Sequence, residues 1–104
     1  DALQISLQEP IMSPASLDFH WVTYFATGNP KAVERIVDYI IKAQTAAAQR
    51  PNHVDLTLAS AIWSTRSNME QDTAIDSIVR QYIQKQPEAS KNRLEQALLA
   101  PQDD

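Results

Sequence analysis

One glycine stands in the whole chain, and it falls between two helical runs. The first run closes on Trp21-Val22-Thr23-Tyr24-Phe25, the turn is Ala26-Thr27-Gly28-Asn29-Pro30, and the second run opens at Lys31. Without a Cβ, Gly28 can take the left-handed conformation that ends a helix. Asn29 can cap the next helix through its side-chain oxygen, and Pro30 suits a first helical position, where no N–H partner is needed. A helix stop and a helix start within five residues dictate a helical hairpin. The chain is therefore expected to be all-α: a compact bundle of about five helices with an N-terminal extended leader.

The rest of the chain repeats this punctuation. Residues 1–12 form the leader, in which Leu3, Ile5 and Leu7 alternate with Gln4, Ser6 and Gln8 at strand period. Such a segment can strap the bundle, pair with a second chain or stay unordered. Ser13 and Pro14 then start a helix running to Thr27, with Leu17, Trp21, Tyr24 and Phe25 as its buried stripe and Val22 off it. The second helix runs from Pro30 to the 46–49 region on Val33, Ile36, Val37, Ile40 and Ile41, and Pro51 stops it.

The third helix starts at Asn52 or Asp55 and is expected to end between Arg66 and Asn68. Leu58, Ala61, Ile62 and Thr65 make one face; Leu56, Ala59, Ser60 and Trp63 make another. A helix apolar nearly all round belongs inside, so this one, near 53–67, reads as central. Arg66 to Gln71 reads as a polar turn. Asp72 caps a fourth helix carrying Ile75, Ile78, Val79, Tyr82 and Ile83, and Pro87 opens a short fifth one with Leu94, Ala97 and Leu98. Residues 13–100 make a single helical domain, and 101–104 a frayed tail. The Tyr24–Gly28 spacing matches part of a tetratricopeptide unit, but no second copy follows at that period.

Composition narrows the chemistry. With no cysteine, disulfides, thiolate nucleophiles and thiolate zinc sites are excluded. With one glycine, phosphate-cradling loops and nucleophile elbows are excluded too. A net charge of −4 and scattered basic residues speak against a nucleic-acid partner. No apolar run approaches the roughly 20 residues that cross a bilayer, so membrane insertion is not expected. His20 reads as a surface or edge histidine, His53 as part of a helix entrance. Neither has the spacing of a metal or catalytic motif. No catalytic, cofactor or metal residues are expected.

What remains are surfaces. Trp63 and Arg66 are residue types enriched at binding hot spots, and Leu3, Ile5 and Leu7 give the leader an apolar edge. These five are the candidate partner-binding residues, toward another protein or a second copy of the chain. The pattern Leu17…Trp21…Phe25-Ala26-Thr27-Gly28-x-Pro30…Val33…Ile36-Val37, then Trp63-Ser64-x-x-Ser67-Asn68, resembles small signal-peptide-bearing bacterial proteins of unassigned function. That resemblance implies an exported, periplasmic or secreted helical protein. The chain begins at Asp1, which is read as the end left by signal-peptide removal or as a trimmed start. The expected function is a non-enzymatic interaction module of the bacterial envelope, accessory to conjugation, secretion or a toxin system. The alternatives are a small cell-wall hydrolase and a carrier of a small apolar ligand.

Overall fold

Every element of the computed structural model, which describes residues 11–52 and 54–100, is a helix. We number them α1 (Pro14–Thr27), α2 (Pro30–Gln49), α3 (Leu56–Gln71), α4 (Thr73–Gln84) and α5 (Glu88–Leu94), which continues into a π-helical turn (Glu95–Leu99). The Cα radius of gyration is 13.2 Å, as expected of a compact domain of this length.

The punctuation of the sequence acts as its chemistry requires. Ser13 Oγ accepts from the Ser16 amide at 3.3 Å, and Ser16 Oγ accepts from the Ser13 amide at 3.0 Å, a reciprocal cap. Gly28 ends α1 at φ 71°, its amide donating to the Tyr24 carbonyl at 2.7 Å. Asn29 Oδ1 receives the Lys31 amide at 3.0 Å, and Asp55 Oδ1 receives the Leu58 amide at 2.9 Å. Asp72 alone turns the chain between α3 and α4. Its amide donates to the Asn68 carbonyl, and its carboxylate caps Ala74.

The core is built around α2, whose Ala32, Val33, Ile36, Val37 and Ile40 are inaccessible to solvent. Each large aliphatic side chain buried this way is worth about 1.5–3 kcal/mol. Helices α1, α3, α4 and α5 all pack on α2. From α4 come Ile75, Val79 and Ile83, and from the C-terminal segment Leu94 and Leu98. Ile11, just before α1, also enters the core.

Four expectations change. Arg66–Gln71 is not a turn but the last part of α3, because no glycine or proline interrupts it and Met69 packs into the core. His20 is not at the surface: it lies in the middle of the buried arc of α1, 2% exposed, beside Thr23. Phe25 leaves the buried stripe and is exposed. Helix α3 does sit in the middle of the packing, against α1, α2, α4 and the terminal turn. Yet only its Leu58-Ala61-Ile62-Thr65 side is covered; Leu56, Ala59 and Trp63 face outward.

Candidate functional site

Where the exposed apolar surface lies follows from which helices cover which. Helix α2 is wrapped by four neighbours, whereas α1 packs chiefly on α2 and α3. The far side of α1 is therefore bare. In most helices such a side is charged, but α1 carries one charge, Asp18. Its bare side shows Phe19, Val22 and Phe25, with Ala15, Ala26 and, between Val22 and Phe25 around the helix, the charged Asp18. Seven large apolar side chains stand exposed among the described residues: Met12, Phe19, Val22, Phe25, Val54, Leu56 and Trp63. All come from two segments, 12–25 and 54–63.

A hydrogen bond joins those segments. Trp21 Nε1–H donates to Ser64 Oγ at 3.0 Å, and that hydroxyl donates on to the Ala61 carbonyl at 3.3 Å. Trp21 lies at the middle of α1 and Ser64 at the middle of α3. Near the C-terminal ends, Tyr24 lies close enough to Asp72 to feel its charge. The two helices thus run in the same direction. At about 100° per residue, Phe25, Val22 and Phe19 follow Trp21 around α1 on the side away from Leu17 and Tyr24. Around α3, Leu56 and Trp63 lie on the side of Ser64 away from Ala61 and Thr65. Both helices turn their buried arcs to α2, so the two outward arcs open on one face. Val22 and Trp63 flank its central joint, being the sequence neighbours of Trp21 and Ser64. They are 57% and 70% exposed.

The Phe25 ring stacks on Trp21 at 6.3 Å and meets Tyr24 edge-on at 5.5 Å. Burial raises the Tyr24 phenol pKa, and the Asp72 charge raises it further, so Tyr24 stays neutral beneath the face.

Of the five residues marked by the sequence, Trp63 lies on this face. Arg66 is partly buried and turned toward the C-terminal segment: its guanidinium donates to the carbonyls of Ala97 and Ala100, both at 2.7 Å. The π-helical turn, closed by the Ala100 amide on the Glu95 carbonyl, presents those two oxygens, and Arg66 ties the turn to α3. Leu3, Ile5 and Leu7 lie outside the described residues, as does His53. Sequence reasoning missed Phe19 and Phe25 as surface residues. The signal was present: α1 carries large apolar residues on every side and one charge only, Asp18.

The Tyr82 hydroxyl donates to Asp38 Oδ1 at 2.6 Å. Burial first, then this bond and the Asp38 charge, push its pKa to about 12. Burial and the Asp55 charge raise Tyr39 likewise. His20 donates from Nδ1 to the Ser16 carbonyl at 2.8 Å, while its buried Nε2 has no partner. Among the described residues, no three of His, Asp or Glu gather as metal ligands would, and no helix is long and apolar enough to cross a membrane. No protein-family model matches the chain, and no curated protein or solved structure matches it significantly.

Proposed function

We propose that this chain is a non-enzymatic protein-interaction module, docking through the shared outer face of α1 and α3 with Trp63 and Val22 at its centre. The setting we propose is the bacterial envelope, as the sequence resemblance implies, in an assembly accessory to conjugation, secretion or a toxin system. One observation carries the docking reading: all seven exposed large apolar side chains among the described residues belong to two adjoining segments. Scattered apolar residues are ordinary on a protein surface. A contiguous group with a tryptophan at its centre marks a contact surface. The leader residues Leu3, Ile5 and Leu7 come a few residues before Met12 in the sequence, and we include them in the proposed surface.

The test is site-specific photo-crosslinking in envelope extract. Trp63 is replaced by benzoylphenylalanine in one variant, and Gln81, exposed on α4, in a control. A discrete cross-linked product from position 63, lost on adding Val22→Glu and absent from position 81, supports the reading. No product from position 63, or equal products from both, overturns it. Repeating the experiment without residues 1–10 tests the leader: a weaker product supports its inclusion, an unchanged one removes it.

A further inference from the structure

We propose that the partner on this face is a basic amphipathic helix, seated in the trough between α1 and α3, with Lys or Arg side chains that pair with Asp18 and Glu70. This rests on the docking reading above and names the chemistry of its occupant. The first ground is shape. Going round α1 from Trp21 at about 100° per residue, the outer side presents Phe25, Asp18, Val22 and then Phe19. Going round α3 from Ser64, it presents Ser60, Ser67, Leu56 and then Trp63. Ser60, Ser64 and Ser67 are half-buried, so small side chains line the joint on the α3 side and Trp63 stands beyond them. Two helices that run in the same direction with a low strip between them offer a third helix the groove in which helices pack, at about 8–10 Å between axes. Among the described residues there is no strand, hence no sheet edge for an extended peptide to join.

Charge is the second ground. Helices α1 and α3 carry three formal charges between them: Asp18, Arg66 and Glu70. Arg66 is committed to the Ala97 and Ala100 carbonyls. Asp18 and Glu70 are exposed, and neither has an ion-pair partner among the described residues. Glu70 follows Trp63 by seven residues and so continues its stripe. The face thus offers acids and no free base. A neutral or acidic partner would cover Asp18 without a counter-charge, which is unfavourable, and a second copy of the chain would bring only the same two acids. Asp18 lies three residues before Trp21, and Glu70 six after Ser64. With Trp21 and Ser64 at one level, the two acids are about 13 Å apart along the helices. That is about nine residues of a partner helix, and positions nine apart emerge on opposite flanks, one toward each wall of the trough.

Size is the third. Phe19, Phe25 and Trp63 are 44%, 59% and 70% exposed. With Val22 and Leu56 these side chains offer roughly 500 Å², taking about 150–250 Å² for a whole aromatic side chain. A partner that contributes as much brings the total to about 1,000 Å², short of a standard interface between two globular surfaces and within the weak, transient class. The bare side of α1 from Ala15 to Ala26 is about 16 Å long, which one helix of three to four turns covers.

The test is selection from a library of randomised helices, each displayed on a rigid helical scaffold, with the immobilised full chain as bait. Wild type should select helices with an apolar stripe flanked by Lys or Arg. Asp18→Lys as bait should instead select Asp or Glu on the flank that meets α1, and Val22→Glu should fail to hold the helices that wild type selects. The strongest helix is then titrated by fluorescence anisotropy. Asp18→Asn should weaken it at least about 5-fold, or about 1 kcal/mol. Raising sodium chloride from about 0.05 to 0.5 M should weaken binding to wild type and leave the Asp18→Asn, Glu70→Gln double variant nearly unchanged. No selected helix, no enrichment of basic residues, enrichment that survives Asp18→Lys, or binding to wild type indifferent to salt overturns the proposal. If the selected helices depend on Val22 but are neutral or acidic, only the chemistry of the partner falls. If none depends on Val22 and benzoylphenylalanine at position 63 captures nothing, the docking reading falls with it.

Discussion

Replacing His20 by leucine should make this protein more stable. The ring sits 2% exposed on the core side of α1, among Leu17, Trp21, Thr23 and Tyr24. Its Nδ1 donates to the Ser16 carbonyl at 2.8 Å, an oxygen that also accepts the ordinary helical amide four residues on. Nε2 is buried without a partner. Leaving a buried acceptor unsatisfied costs about 1–3 kcal/mol, and a neutral hydrogen bond returns about 0.5–1.5 kcal/mol. His20→Leu removes both and adds apolar burial. The Ser16 carbonyl keeps its backbone donor, so no new orphan is created. The balance is a gain of about 1 kcal/mol, or roughly 4–8 °C in melting temperature for a domain of this size. Two controls fix the interpretation. His20→Ala should lose about 2–4 kcal/mol, because it empties a close-packed site. His20→Gln keeps polar atoms in the core and should gain nothing. Urea denaturation followed by far-UV circular dichroism measures all three. If His20→Leu loses more than about 1 kcal/mol, the size of one ordinary hydrogen bond, Nε2 has a partner worth keeping and the reasoning fails.

Three further substitutions test other joints. Gly28→Ala should cost about 1 kcal/mol from the φ of 71° alone, since a Cβ there meets nothing within 4 Å; a thermal melt that does not move would contradict this. Tyr82→Phe removes the 2.6 Å bond to Asp38 and should cost about 1–2 kcal/mol at neutral pH. The Tyr82 pKa is raised in the fold, to about 12, above its ordinary 10, so its contribution is present below pH 10 and lost as pH rises toward 12. The difference between the two proteins should therefore shrink across that window, and a constant gap would refute the assignment. Arg66→Ala should release the π-helical turn, raising amide exchange at Leu98 and Ala100 first and costing about 1–2 kcal/mol; uniform exchange changes across the chain would count against a local clamp.

The helices were legible wherever capping chemistry was local. Ser13-Pro14, Gly28-Asn29-Pro30, Asp55 and Asp72 set boundaries through bonds spanning two to four residues, and such bonds are written in the sequence. The end of α3 was not legible. Its polar run Arg66–Gln71 has no breaker, and what keeps it helical is tertiary: Met69 in the core and Arg66 on carbonyls 31 and 34 residues away. Trp63 was legible as a candidate because tryptophan is rarely left exposed without cause. Arg66 looked equivalent by residue type, but its direction depends on the placement of the C-terminal turn. For His20, the prior that histidines sit at surfaces lost to its register, one turn before Tyr24 and three residues after Leu17.

The outer side of α1 cannot be put down to a shortage of charge. Helix α2 keeps Lys31, Glu34, Arg35, Asp38 and Lys42 off its buried stripe, and α4 pairs Asp76 with Arg80 at 2.9 Å across its solvent side. Those helices show the strong amphipathicity of a surface helix whose other side meets water. In α1 the pattern is weak: its core side holds His20 and Thr23, while its bare side holds Phe19, Val22 and Phe25 around a single charge, Asp18. Polar groups inside and apolar groups outside are both unfavourable for an isolated domain. Locally inconsistent choices of this kind concentrate where a chain does something other than fold. Exchanging Phe19 and Phe25 for glutamine separates the two demands. The double variant should stay folded, losing about 1–3 kcal/mol because both rings are partly buried and Phe25 packs on Trp21 and Tyr24, while losing the cross-linked product from position 63. A large loss of stability would instead make both rings part of the fold, and the outer face of α1 would lose its claim to a partner.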